Sequence, residues 1–396
     1  MVATINADTT NGVVITSDTS GEIELQANGV TKAKITANGL QDANGNSITG
    51  SMYRNLIING DMQVAQRGTS VAGITTNGFY TVDRFQALLT SMGTWTMSQD
   101  SDVPSGQGFS KSLKMACTTA DASPAAADII ALRLNVIEGL NLQHLKFGTS
   151  NAENLTLSFW VKSNKTGTYC LQFYNGSVGY NLGKTITISS ADTWEKKTVA
   201  IAGDTAHSFT NNNSAQLYLT FYLGVGSNRT SGTLPSTWTA YSTGDEAPSQ
   251  TVNLADSTSN YLNITGVQLE VGSGASDFEF LPYDVQLARC QRYCYKIGGD
   301  SAYAPFAMGT SYNTTNGNAL VNYPVAMRAT PTMTPTYPIR SLNGGATRAV
   351  SAVSFGQGGA TTAYIDYTTT TTSSGQAVML TADGTAAANL LFTAEL

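Results

Sequence analysis

"NLTLSFWVKS", Asn154 to Ser163, is the stretch on which the fold turns. Leu155, Leu157, Phe159 and Val161 fall on one side of an extended chain, with Thr156, Ser158, Trp160 and Lys162 on the other. A period of two with one apolar and one polar face suits a strand covered by a second sheet on one side only. The pattern recurs. "TYCLQFYNG" (168–176) sets Tyr169, Leu171 and Phe173 against Cys170, Gln172 and Tyr174. "QLYLTFYLGVG" (216–226) sets Leu217, Leu219, Phe221, Leu223 and Val225 against Tyr218, Thr220 and Tyr222, and "NITGVQLEVG" (263–272) sets Val267, Leu269 and Val271 against Gln268 and Glu270. Many such strands with Gly, Asn and Ser turns between them predict an antiparallel β-sandwich. One stretch, "DIIALRLNVIEGLNLQHL" (128–145), reads as a helix by its spacing, yet its β-branched residues suit a strand equally.

The composition agrees with an all-β chain. Of 396 residues, 41% are hydrophobic but only 12% are charged, about half the usual share. The polar surface must come from Thr, Ser, Asn, Gln and the 38 glycines, which suit turns and strand faces better than exposed helices. The net charge of −6 argues against a nucleic-acid partner, which needs a basic face to neutralise phosphates. "MVATINADTTNG" (1–12) has no charged head followed by an apolar core, so no signal peptide is expected. No apolar run approaches the roughly 18 residues of a membrane helix, so no membrane insertion is expected.

Four segments follow along the chain. Residues 1–50 string short apolar pieces (Ile23, Leu25; Val30; Ile35) between turns, with Ala-Asn-Gly at 27–29, 37–39 and 43–45. Asn-Gly is a strong hairpin signal. The segment holds too little apolar mass for its own core, so it is expected either to wrap with identical copies about a common axis or to stay flexible. Residues 51–283 carry the sandwich. At 284–297, within "FEFLPYDVQLARCQRYCYK" (278–296), the spacing after Pro282 predicts a short linking helix that carries Cys290 and Cys294. On a helix those two would lie too far apart for a disulfide, and with Cys117 and Cys170 they read as free thiols in a reducing cytoplasm. Residues 298–396 return to strands, with Pro324, Pro331, Pro335 and Pro338 confining those strands to edges, and read as a small C-terminal β domain.

"NLIINGDMQVAQRGTS" (55–70) and "FYTVDRF" (79–85) resemble the opening of a domain common in phage tail-fibre and tail-spike-like proteins. "NITGVQLEVGSGASDFEFLPYDVQLARCQRYCYK" (263–296) resembles the closing strand and following helix of the same proteins. "GEIELQANGVTKAKITANGLQDANGN" (21–46) is similar to the shaft or adaptor start of such fibres, and "VNYPVAMRATPTMTPT" (321–336) to a motif of their tips. The resemblance implies a jelly roll like those of carbohydrate-binding modules on a homotrimeric fibre. It also implies attachment to other phage tail proteins through the N-terminus, a host-surface glycan or lipopolysaccharide as receptor, and a place on the virion after assembly in a bacterial cytoplasm. From the residues alone, "NLIING" and "GVQLEV" are expected to pair as first and last strands, with Asp83 and Arg84 a polar pair locking a strand end.

Catalysis finds little support. The two histidines, His144 and His207, sit in unrelated contexts, and no Gly-x-Ser-x-Gly elbow occurs. A glycosidase would need two opposed carboxylates, and Asp245 and Glu246 are merely adjacent in sequence. No enzyme is expected. A purely structural fibre or capsid-decoration protein and a polysaccharide-degrading tail spike stand as alternatives. No cofactor is required, although calcium, which needs only oxygen ligands, would draw on Asp61, Glu270 or Asp277. Sugar binding asks for an aromatic face with polar neighbours. The polar loop "GSNRTSGTLPSTWTAYSTGDEAPSQ" (226–250) offers Trp238 and Tyr241 beside Asn228, Arg229 and Asp245, while Trp238 could instead plug an open end of the sandwich. Tyr303, Phe306, Tyr312 and Tyr323 are candidates for a distal receptor surface.

Overall fold

The computed structural model describes residues 22–36, 39–42 and 53–396. The Ala-Asn-Gly at 43–45, most of the one at 37–39 and all of 1–21 lie outside the described residues. Strands β1 (Ile23–Ala27), β2 (Val30–Thr36) and β3 (Gly39–Asp42) form a three-stranded antiparallel sheet. Between β1 and β2, Asn28 and Gly29 take φ of 54° and 74°, the two left-handed residues that a tight hairpin turn demands and Asn-Gly supplies. The register aligns Ile23 with Ile35 and Ile35 with Leu40, and sets Leu25 against Ala33. One face is therefore apolar, while Glu24 and Lys34 pair at 3.0 Å on the other.

Two six-stranded antiparallel sheets make the central sandwich. Its strands are β4 (Ser70–Ile74), β5 (Gln86–Thr90), β6 (Thr94–Asp100), β7 (Ser112–Thr119), β8 (Ile129–Glu138), β9 (Leu155–Ser163), β10 (Gly167–Asn175), β11 (Tyr180–Ile188), β12 (Glu195–Ile201), β13 (Ala215–Val225), β14 (Thr239–Ala240) and β15 (Tyr261–Val271). One sheet runs β14-β11-β10-β13-β8-β5 and the other β12-β9-β15-β7-β6-β4. The chain crosses between the sheets repeatedly, as in jelly-roll sandwiches. The inward residues of the alternating stretches, among them Leu157, Phe159, Leu171, Phe173, Leu219, Phe221, Val267 and Leu269, form one buried core with Trp95 and residues from every strand of the sandwich but the shortest. Residues 128–145 resolve into strand β8 and two short 3-10 turns. The β-branched residues outweigh the helical spacing there because both faces of β8 are covered.

"NLIING" departs from the expected strand. Residues 54–60 take an irregular path with Asn59 at φ 64°, and Asn55 stitches them to β15 through bonds to Val267 O and Leu269 N. Only Leu56 N to Leu269 O and Val267 N to Gly60 O bridge the backbones. The segment does lie along the last strand, and the two ends of the sandwich meet where Glu279 accepts from the backbone of Arg54 and Asn55.

Pro282 starts the linking helix α1 (Tyr283–Gln291), which carries Asp284 in its first turn and Arg289 in its last, both favourable to the helix dipole. The helix is shorter than expected: Cys294 lies on strand β16 (Cys294–Gly298), away from the helix that holds Cys290. All four cysteines are buried and unpaired. Beyond, β17 (Pro305–Ser311), β18 (Asn316–Asn322), β20 (Ile339–Asn343), β21 (Ala346–Gly358), β22 (Thr362–Thr369) and β23 (Ala377–Ala382) close into a barrel with its own core. Strands β19 (Thr332–Thr336) and β24 (Asn389–Thr393) join β16 in a small sheet whose edge strand, β19, holds Pro335. Among the described residues, no helix is long and apolar enough to cross a membrane.

Asp83 and Arg84 do not pair with each other. Arg84, buried, lies 3.5 Å above the Tyr293 ring, donates to Val136 O at 2.6 Å and forms an ion pair with Glu395 from the far end of the chain. Asp83 accepts from Gln66, whose amide also reaches Cys294 O, and Arg67 bridges Asp83 and Glu395. The motif therefore fastens the sandwich to the C-terminal strands.

Candidate functional site

The outward face of the β14-β11-β10-β13-β8-β5 sheet gathers the side chains that the alternation placed on its polar side. Antiparallel register sets Tyr174 of β10 opposite Tyr218 of β13, Gln172 opposite Thr220, Thr220 opposite Arg133 of β8, and Arg133 opposite Gln86 of β5. Cross-strand neighbours lie close enough to act as one surface. The Tyr174 and Tyr218 rings are 5.6 Å apart, and Tyr241 meets Tyr174 edge-on at 5.4 Å. All three tyrosines keep part of their surface in water, Tyr241 being 41% exposed.

The 226–250 loop folds back over one end of this face. Leu234 and Pro235 pack over Gly183 of β11, where any Cβ would collide with Leu234. Ala247 joins Cys170, Tyr222, Ala131 and Ile129 in a small apolar cluster beneath the loop, and β14 pairs with β11 through Tyr180 and Asn181. Buried Glu246 sits at the loop's inner edge. It forms an ion pair with Arg229 and accepts the Tyr241 hydroxyl at 2.5 Å. Burial, with the Glu246 carboxylate, pushes the Tyr241 phenol up.

Arg133 lies on β8, beside the edge strand β5. Its guanidinium carbon lies 4.9 Å from the Tyr218 ring centre. It makes no hydrogen bond or ion pair among the described residues, and its Nε is buried without a partner. Burial lowers its pKa. Gln172 accepts from the Tyr222 hydroxyl at 3.0 Å, leaving its Nε2 without a partner, and Gln86 Oε1 is also unsatisfied. Buried polar groups are normally satisfied. Three unpartnered ones border one aromatic face.

Of the residues singled out in the sequence, the structure brings Arg229 and Tyr241 to this site. Trp238 goes elsewhere: its Nε1 donates to Ala202 O at 2.8 Å and its ring meets Phe147 edge-on at 5.7 Å against the core, so it plugs the sandwich end. Asn228 donates its backbone N–H to Ala126 O with its side chain in solvent, and Asp245 accepts from Thr233 N within the loop. Tyr174, Tyr218 and Arg133 were missed because they come from three strands far apart in sequence. The outward tyrosines of the alternating stretches were the available signal.

Asp61, Glu270 and Asp277 do not converge. Glu270 already accepts from Ser276 and Gln268, Asp277 is exposed, and Asp61 is buried with one oxygen unpartnered. Among the described residues no three His, Cys, Asp or Glu side chains cluster around a metal-sized point. In the barrel, Tyr303 and Tyr312 are exposed at 57% and 54%, whereas Phe306 and Tyr323 are buried in the core.

No family model matches the chain, and no curated protein matches it. Solved structures do. One is the enzymatically active domain of bacteriophage CBA120 tailspike protein 4, at 13% identity and TM-score 0.29 over 56% of this chain and 22% of that one. The match thus spans about a fifth of that tailspike's length. A family 4 carbohydrate-binding module is similar at 12% identity and TM-score 0.28, over 54% of this chain and 99% of the module. A putative sugar-binding protein from Bacteroides thetaiotaomicron has the same identity and TM-score, over 55% and 99%.

Proposed function

We propose that the chain is a phage tail-fibre protein that recognises a host-surface glycan through the outward face of its sandwich, without cleaving it. The observation that carries this reading is the row of part-exposed Tyr241, Tyr174 and Tyr218 beside unsatisfied Arg133, Gln172 and Gln86. Aromatic faces stack on the C–H faces of sugar rings, and open polar groups take hydroxyls. The sequence resemblance of 55–85, 263–296 and 321–336 to fibre proteins supports the virion setting.

A homotrimer fits the N-terminal sheet. On its apolar face Leu25, Ile35 and Leu40 are exposed at 45%, 42% and 36%, more apolar surface than so small a sheet sustains alone. Further copies would cover that face and multiply weak single-site binding into firm attachment. The test is a glycan array with the purified protein, alongside Tyr174→Ala and Tyr218→Ala. Wild-type signal lost in both variants supports the reading. Uniform silence removes the binding role, and new reducing ends from host polysaccharide would favour a degrading spike.

A further inference from the structure

Resting on that reading, we infer that the glycan is acidic and that Arg133 holds its carboxylate. Among the charged groups of the face, Glu246 is already neutralised by Arg229, so Arg133 leaves the site with one uncompensated positive charge inside a chain of net charge −6. That charge is half-buried on a sheet of tyrosines, with no carboxylate bonded to it and one nitrogen sealed from water. An arginine held this way is partly desolvated, with the Tyr218 ring as its nearest compensation. A ligand carboxylate would complete the arrangement, because a planar guanidinium matches it through paired N–H donors.

The neighbours fit the rest of such a ligand. Tyr218, whose ring already lies against the guanidinium, and Tyr174 beyond it offer a platform for the sugar ring that bears the acid. Gln172 Nε2 and Gln86 Oε1, in the same row across the sheet as Arg133, are an unpartnered donor and an unpartnered acceptor buried at the border of the platform. A neutral glycan would use the platform but bring no negative charge to meet the guanidinium.

Isothermal titration with two matched pairs tests this: oligogalacturonate against its carboxyl-reduced form, and sialyllactose against lactose. The full-length chain should bind at least one acidic member about tenfold or more tighter than its neutral partner. Arg133→Gln should erase that preference, bringing the acidic member's affinity down to that of its neutral partner in the same variant, and Arg133→Lys should restore part of it. The melting temperature of Arg133→Gln should fall only slightly, because no hydrogen bond is lost and only the contact with the Tyr218 ring goes. Equal binding of both members of each pair, or a preference that survives Arg133→Gln, overturns the acidic ligand and leaves glycan recognition standing. Absence of any binding, with Tyr174→Ala indistinguishable from wild type, overturns both.

Discussion

Asp83 shows how much one side chain can be shaped by the fold around it. Burial pushes its carboxyl up to about 7, against the pull of Arg67 and the Gln66 amide. A carboxyl whose folded pKa lies above the unfolded one, 3.8 here, favours the folded state when protonated. Its stabilising contribution is complete below about pH 4 and is lost as pH rises through about 7. Melts at about pH 5 and about pH 8 should therefore show a loss of stability across that window, smaller in Asp83→Asn. The same slope in that variant would assign the titration to another group. In sequence, Asp83 and Arg84 look like a couple only because they are adjacent; they sit in a turn where Arg84 takes a left-handed φ of 75°, and they turn to different partners, Asp83 to nearby Gln66 and Arg67 and Arg84 to Tyr293 and Glu395 more than two hundred residues on.

At the scale of elements, the strands with strict alternation were legible because the signal is local: each inward residue of 155–161 and 217–223 is buried where the period of two puts it. "NLIING" misled because its three apolar residues suit either a strand or a buried irregular segment. What decides between them is the Asn55 side chain, which takes the hydrogen bonds a strand partner would have taken. The 226–250 loop was recognisable as a special element by its length, while the fate of its tryptophan depended on Phe147 and Ala202, which no local pattern ties to it. Trp238→Ala should cost about 3 kcal/mol of stability by emptying that end of the sandwich and leave glycan affinity unchanged. Denaturant unfolding and titration on the same variant check both halves, and loss of binding in a fully stable variant would return Trp238 to the site.

For the whole molecule, order along the chain was readable and the joints between parts were not. The composition pointed to β-structure throughout, and the segments appear in the expected order. The junction is built from Arg84, Tyr293, Glu138, Arg292 and Glu395, and its strength lies in long-range pairing that composition cannot encode. The proposed trimer belongs to this scale as well. Light scattering should return three times the 41.6 kDa of the chain. Leu25→Lys with Ile35→Lys, which places charge on the apolar face of the N-terminal sheet, should lower that mass. A monomer in the wild-type chain would contradict the fibre reading.

The most direct test of adhesion through the sheet face is a crystal structure with a bound oligosaccharide chosen from the glycan array. The account predicts a sugar ring against Tyr174 and Tyr218, within hydrogen-bonding reach of Arg133 and Gln172. A sugar seated instead on the barrel around Tyr303 and Tyr312, with the sheet face empty, would contradict it.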